Sequence, residues 1–394
     1  MNIPKNERLL LLTLGAIQFT HIMDFMIIMP LGPLLMRVFD INPQQFSLIV
    51  SAYTFSGGIF SFIGAFFLDN VKRKSALVFC YIGFIIGTLA CAISPSYEFL
   101  LSARILTGAF GGILTALILS IIGDAIPMER RGTAMGIVMA SFSVASVIGV
   151  PFGLFMAAKF NWHMPFYVVA VLGIPVLIGI YAYVPMIAAA TIKQNPKQVL
   201  QNVFTLKNQY TALIFMVVMI FGQFTVIPFI SPYMVANVGF TEIELTYIYL
   251  LGGGATIFTS PLIGRLSDKY GKHRVFTISM LLSFIPILLI TNMPSVHIGL
   301  ALVVTTSFFI ISGGRMIPAT ALVTSAVRPE NRGSFMSVNS SVQQLASGAA
   351  ALVGGLIIHK NANDELENYP YVGIIALVAG LICIVLIRRV KAVS

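Results

Sequence analysis

Residues 264–274 read GRLSDKYGKHR between two long apolar runs, and 199 positions earlier residues 65–75 read AFFLDNVKRKS. Asp268 answers Asp69. Each aspartate precedes a basic cluster, Lys269, Lys272 and Arg274 in one copy, Lys72, Arg73 and Lys74 in the other. A second echo follows, because ERRGTAMG at 129–136 returns as ENRGSFMS at 330–337 with an offset of 201, and Arg131 has its counterpart in Arg332. Prolines repeat as well: Pro30 and Pro33 in the first apolar run, Pro228 and Pro232 in the seventh. Repetition at half the chain length points to two related halves.

Composition puts those halves in a membrane. The 394 residues are 57% hydrophobic and 10% charged, with a mean hydropathy of +0.92, which does not suit a water-soluble domain. Apolar stretches recur at roughly 20 to 28 residues, and at about 1.5 Å per residue each crosses a hydrocarbon layer of about 30 Å. Twelve spans are read at 9–36, 46–68, 75–94, 97–123, 134–158, 165–187, 209–235, 243–266, 275–292, 296–325, 334–358 and 371–388. Strand alternation is absent and the runs are too long for barrel strands, so backbone polar groups must be satisfied within helices. The expected fold is an all-α membrane protein of twelve transmembrane helices in two pseudo-symmetric six-helix halves. They cover 1–187 and 209–394, with a cytoplasmic linker at 188–208. The first run is long and lacks a small-residue cleavage site, so it reads as a span rather than a signal peptide.

The repeated loop resembles that of the major facilitator superfamily, which carries G-x-L-x-D-x-x-G-R/K-R/K between helices 2 and 3. Gly264, Leu266, Asp268, Gly271 and Lys272 fit in the second copy; the first keeps Asp69, Arg73 and Lys74 but has Ala65 and Lys72 where the family has glycine. The likeness spans essentially the whole chain and implies a carrier of two six-helix bundles. It is nearly silent about the substrate. LSARILTG at 101–108 is similar to the family's helix 4 signature, an arginine followed four residues later by glycine. The helix 5 signature of the proton antiporter branch, G-x8-G-x3-G-P-x2-G-G, is degenerate here. Gly136, Gly149 and Gly153 fit, Ala145, Val150 and Leu154 depart, and Pro151 falls one place late. GVPFG at 149–153 followed by NWHMPF at 161–166 looks more like the drug and sugar efflux branch in a broad sense. The resemblance also implies a gating cluster of Asp69, Arg73 and Asp124, with Arg131 beside it. Asp268, Lys272 and the loop glycines Gly264 and Gly271 form a second-half counterpart, incomplete because Ser325 stands where Asp124 has its match.

Basic residues set the expected orientation, since Lys and Arg accumulate in short cytoplasmic loops. With the amino terminus inside, 19 of the 24 fall on the cytoplasmic side, and only Arg37, Lys159 and Lys360 fall outside. Both termini are therefore expected in the cytoplasm of a cell whose inner (plasma) membrane holds the protein. This bias, with anionic headgroups, accounts for the net charge of +10 without nucleic acid. Cys80, Cys91 and Cys383 lie inside apolar spans with no paired spacing, so they read as packing residues.

Of 14 acidic residues, Asp24 alone lies deep in a span. A central aspartate costs about 2.5–3.5 kcal/mol on insertion scales, so it is expected to face the bundle interior or a wet cavity. Gln18, His21 and Asp24 are spaced by three and share a helical face, expected to line the cavity. Arg104 in helix 4 and Arg315 in helix 10 are equally out of place. Arg104, at roughly 10 Å below the outer surface by helical rise, reaches the depth of Asp24 and invites a pair. Arg315 has no acidic partner visible in the sequence and is a candidate contact for an anionic substrate group. Two readings of Asp24 stand open. Either it loads and releases a proton, with His21 and Arg104 as coupling neighbours, or it is a permanent ion pair joining helices 1 and 4.

Pro30, Pro33, Pro228 and Pro232 remove amide donors near the outer ends of helices 1 and 7 and read as hinges of an outer gate. Gln223, Phe224 and Tyr233 in helix 7 and Asn339 and Gln343 in helix 11 are candidate cavity residues or packing. The function expected is secondary active export of small, drug-like or amphipathic organic molecules by proton antiport and alternating access, in a monomer without cofactor or metal. A sugar or metabolite exporter of the same fold is the alternative. Five scattered histidines and one deep carboxylate do not assemble a catalytic site, which argues against an enzyme. The partners expected are substrate, protons and membrane lipids.

Overall fold

The computed structural model describes residues 4–67, 71–186, 206–327 and 332–391; Asp69 and residues 188–205 of the expected linker lie outside the described residues. Helices dominate. In chain order they are α1 (Lys5–Ile27), α2 (Gly32–Val38), α3 (Pro43–Phe67), α4 (Arg73–Ala92), α5 (Tyr97–Ala125), α6 (Met128–Val144), α7 (Val150–Lys159) and α8 (Met164–Tyr183). After the linker come α9 (Lys207–Phe224), α10 (Ile230–Tyr233), α11 (Leu245–Tyr270), α12 (Lys272–Thr291), α13 (Ile298–Ser325), α14 (Arg332–Ile357) and α15 (Tyr369–Ile387). A two-stranded antiparallel hairpin, β1 (His359–Lys360) and β2 (Leu366–Glu367), joins the last two helices.

Ten helical segments among the described residues are long and apolar enough to cross a membrane. α11 and α14, at 26 residues each, have the length but are diluted by Gly, Ser and Thr and by Asn339, Gln343 and Gln344. The expected spans 9–36 and 209–235 are not single helices. Residues 28–31 interrupt the first where Pro30 and Pro33 supply no N–H. In the seventh, Pro228 sits in a 3-10 turn at Ile227–Phe229 and Pro232 in α10, followed by a π turn at Met234–Val238. A second π turn, Ala145–Gly149, divides the fifth span just before Pro151.

The chain forms two compact units. One comprises Met1–Ile28 with Ala52–Pro196, the other Met29–Ser51 with Lys197–Ser394. In the first, α1 packs on α6 and α8, and α4 on α5 and α8. The second repeats these partnerships at the matching positions, α9 on α14 and α15, and α12 on α13 and α15. Each unit has its own apolar core, Leu14, Leu77, Leu117 and Ile121 in one, Phe215, Phe276, Val323 and Ile387 in the other. Within the second unit the 29–51 segment is closely engaged. A Cβ on Gly32 would stand 2.8 Å from Phe46 and 2.9 Å from Pro232, and Arg37 forms an ion pair with Glu242.

The duplication also survives in the caps. Before α3, Asn42 Oδ1 accepts from the Gln45 amide at 2.8 Å and Gln45 Oε1 from the Asn42 amide at 3.0 Å. At an offset of 199, Thr241 Oγ1 accepts from the Glu244 amide at 3.3 Å and Glu244 Oε2 from the Thr241 amide at 2.8 Å. Both are reciprocal capping boxes. Two donations from Thr241, amide and hydroxyl, hold the Glu244 carboxyl below the usual carboxylate range.

Gly271 is the single residue between α11 and α12 and has φ +92°, a region costly for any residue with a Cβ. At the matching place in the first copy Lys72 has φ −57°, so no glycine is needed. Gly271→Ala is expected to lower stability by about 1–2 kcal/mol. Lys72→Ala should stay within about 0.5 kcal/mol of wild type. Melting of the purified protein in detergent checks both.

Candidate functional site

Four helices of the first unit converge on one buried polar cluster. Glycine lets them approach: a Cβ on Gly87 of α4 would stand 2.6 Å from Thr107 Oγ1 of α5, and one on Gly108 of α5 would stand 2.9 Å from the Tyr53 Cα and carbonyl carbon of α3 and press on its carbonyl oxygen. Arg104 lies one turn before Gly108, so the same contact that seats α3 brings Tyr53 under Arg104. Its guanidinium carbon stands 4.2 Å above the centre of the Tyr53 ring.

Asp24 reaches this point from α1. Arg104 Nη1 donates to Asp24 Oδ2 at 2.8 Å and more weakly to the Asp24 carbonyl at 3.4 Å, while Thr88 Oγ1 donates to Oδ1 at 3.1 Å. Both charged side chains are wholly buried. Each carboxylate oxygen thus has a donor and the charge has a counter-ion, the arrangement a dry interior requires. His21 lies one turn away, its ring 6.2 Å from that of Tyr53 and 6.0 Å from that of Phe84. Neither nitrogen of His21 has a hydrogen-bond partner among the described residues, nor do Gln18 Oε1, Tyr53 Oη, or Arg104 Nε and Nη2. The site therefore holds more hydrogen-bonding capacity than its internal contacts consume.

The face of Gln18, His21 and Asp24 was expected to line a wet cavity; Asp24 is instead wholly buried against Arg104 and Thr88 of the first unit. Gln18 and Asp24 are buried and His21 is half-buried, because α3, α4 and α5 close over the carboxylate. Sequence reasoning missed Tyr53 and Thr88, and read Gly108 only as part of the helix 4 signature. A tyrosine in an apolar span carries no charge to betray it, but the Arg104-to-Gly108 spacing signalled the close helix approach that brings it in.

Arg315 sits in the second unit on the core-facing stripe of α13, 4% exposed. Its Nη1 donates to Ser283 Oγ at 3.3 Å and Met280 Sδ at 3.7 Å, and its Nη2 to Ser312 Oγ at 3.4 Å. Tyr233 and Pro228 are buried; Tyr233 donates its hydroxyl to the Met293 carbonyl at 3.1 Å and its ring lies 4.8 Å from that of Tyr369. Packing accounts for this residue. Gln223, Phe224 and Gln343 are half-buried, and Asn339 is buried with Oδ1 unpartnered.

At the α5 C-terminus, Arg73 Nε donates to Asp124 Oδ2 at 3.1 Å. Arg131 caps that helix, donating to the Ile126 carbonyl at 2.9 Å and also to the Gly123 carbonyl. In the second unit Asp268 is exposed in the last turn of α11 with no ion pair among the described residues, Lys272 is half-buried, and Ser325 Oγ turns back to the Leu322 carbonyl at 2.8 Å. Gly264 is half-buried in α11. In the fifth span a Cβ on Gly153 would stand 2.6 Å from Ile27 and one on Gly149 3.3 Å from Met23, so these two glycines seat α7 and the π turn on α1. Gly136 meets nothing within 4 Å and does not share that role.

A family model described as Major Facilitator Superfamily matches residues 14–221 and again 212–393. An uncharacterized MFS-type transporter, YceJ of Bacillus subtilis (strain 168), is 24% identical over 348 residues, 87% of each chain. Among solved structures, a bacterial homolog to the human lysosomal transporter Spinster superposes with a TM-score of 0.74 at 15% identity, covering 99% of this chain and 98% of that one. A D-xylose-proton symporter gives 0.74 at 16% identity, covering 95% and 96%.

Proposed function

This chain belongs to the Major Facilitator Superfamily, and from that premise we propose that it is a secondary active transporter exporting small organic molecules by proton antiport and alternating access. The observation that carries the reading is the buried Asp24–Arg104 pair at 2.8 Å. Asp24 is the sole carboxylate deep in a span among the described residues, it is ionisable, and it is held by groups on two other helices, Thr88 of α4 and Arg104 of α5, whose relative shift would change its partners. A proton taken by Asp24 removes the charge that holds Arg104, so protonation and helix packing become one equilibrium. A membrane potential of about 100 mV is worth about 2.3 kcal/mol per charge moved, so one proton per cycle sustains a useful gradient.

The interrupted first and seventh spans, with their four prolines, supply the hinges of the proposed gate, and the Arg73, Asp124 and Arg131 cluster supplies its latch on the opposite side. Residues 1–187 and 209–394 are the two rocking halves in this reading, with both termini in the cytoplasm and the protein in the inner (plasma) membrane. Drug-like, amphipathic molecules are the proposed cargo; the sugar or metabolite exporter remains the second reading, favoured by the unpartnered amide oxygen of Asn339 and by polar α14.

The test is purified protein in liposomes under an imposed pH gradient, offered lipophilic cations, neutral drugs and sugars. Gradient-dependent uptake of one class, abolished by a protonophore, is the expected result. Uptake of every class indifferent to the protonophore would overturn proton coupling.

A further inference from the structure

The two intramembrane arginines are opposites. Arg104 has a carboxylate at 2.8 Å, whereas Arg315, buried to 4% exposure, has no ion pair among the described residues. Of the helices packed around it, α9, α12, α13, α14 and α15 contain no Asp or Glu, and α11 has only Asp268, exposed in its last turn with no ion pair among the described residues. A guanidinium stays charged in proteins, and a buried charge without a counter-ion is one of the costliest features a fold can carry. Its neutral neighbours do little to offset this, since the Ser283 and Ser312 contacts are long and Nε has no partner among the described residues.

We propose that Arg315 anchors a subsite in the second unit for a small monoanionic group, a carboxylate or a halide. The edge formed by Nε and Nη2 is the fork that grips a carboxylate through two parallel hydrogen bonds. Ser312 Oγ, beside Nη2, has a hydroxyl proton to add as a third donor. Ser283 does not, because its hydroxyl already donates to the Met280 carbonyl at 2.7 Å. Charge sets the class: one cation beside Met280, a member of the second unit's apolar core, balances one negative charge, and a dianion would leave a net charge buried in apolar surroundings. As a statement about cargo, that the exported molecule bears a carboxylate, this rests on the transport reading. As a binding site it stands without it.

The experiment is equilibrium dialysis of purified full-length protein in detergent with radiolabelled acetate and, separately, chloride, followed by melting in each salt. Saturable binding of either probe is expected, with a rise in melting temperature that sulfate does not reproduce. Arg315→Gln should weaken it at least tenfold, Ser312→Ala by roughly three- to tenfold, and Lys72→Ala by less than twofold. If Arg315→Gln does not fold, the wild-type titration and Ser312→Ala carry the test. Binding of neither probe to wild type, or binding undiminished in both variants, would overturn the subsite. Counterflow separates the sources: acetate moved across liposomes marks a cargo carboxylate, while an anion bound but never moved marks a resident ion. Binding without transport of any compound sinks the export reading and leaves the subsite intact.

Discussion

In proteoliposomes with an imposed pH gradient, Asp24→Asn loses gradient-driven accumulation completely and keeps substrate exchange at equal pH. With one proton per substrate, each pH unit sustains about a tenfold concentration ratio, so the expected ratio falls from roughly ten to one. The amide oxygen still accepts from Arg104 and its NH2 donates to Thr88 Oγ1 in place of the bond that Oδ1 accepted, but Arg104 is left as an uncompensated cation. That costs up to about 3–5 kcal/mol when one partner of a buried pair is removed. A second variant divides coupling from architecture. Asp24→Asn with Arg104→Gln replaces the ion pair by a neutral amide pair, and stability should return to within about 1 kcal/mol of wild type. Driven flux should not return, because no carboxylate remains at the site and His21 alone does not pair with either amide. If it does return with stability, Asp24 is a structural pair and coupling must be sought elsewhere.

The sequence carried the parts of this arrangement that depend on composition and charge. Twelve spans follow from the cost of unpaired backbone groups in lipid. The Asp24–Arg104 pairing follows from matching depth on two helices, because an isolated charge at that depth is too costly to leave alone. The breaks at Pro30 and Pro228 follow from a missing N–H. What was illegible depends on neighbours that no single helix specifies. The π turn at Ala145–Gly149 has no residue that announces it, and Tyr53 becomes part of the site only through the path of α3 across α5. The assumption that a polar face lines water misjudged Asp24, whose two oxygens are satisfied by donors on α4 and α5, whereas Gln18 Oε1 and the His21 nitrogens stay unpartnered among the described residues. The first copy of the repeated loop shows the same limit from the other direction. Its lost glycine reads as decay in sequence, yet Lys72 at φ −57° occupies a turn in which glycine has no advantage.

Gly108→Ala should damage both fold and transport, and the opposing terms have known sizes. Alanine is better than glycine in a helix interior by about 0.8–1 kcal/mol, which favours the variant. Against this, the new methyl would stand 2.9 Å from the Tyr53 Cα and carbonyl carbon and press on the carbonyl oxygen, all backbone atoms that no rotamer change can move. α3 must shift as a body, and overpacking of this kind costs about 1–3 kcal/mol. The net effect is destabilising, and it is directional: the shift carries the Tyr53 ring off the Arg104 guanidinium, forfeiting a cation–π contact worth about 2 kcal/mol when desolvated. Gly123→Ala in the same helix and Gly136→Ala in α6, where a Cβ meets nothing within 4 Å, should instead be neutral or stabilising by up to about 1 kcal/mol. Tyr53→Leu, which leaves the helix crossing intact, should reproduce the transport loss of Gly108→Ala with a smaller fall in melting temperature. Equal melting of Gly108→Ala and Gly136→Ala would show that α3 and α5 do not meet at this glycine, and the placement of Tyr53 beneath Arg104 would fall with it.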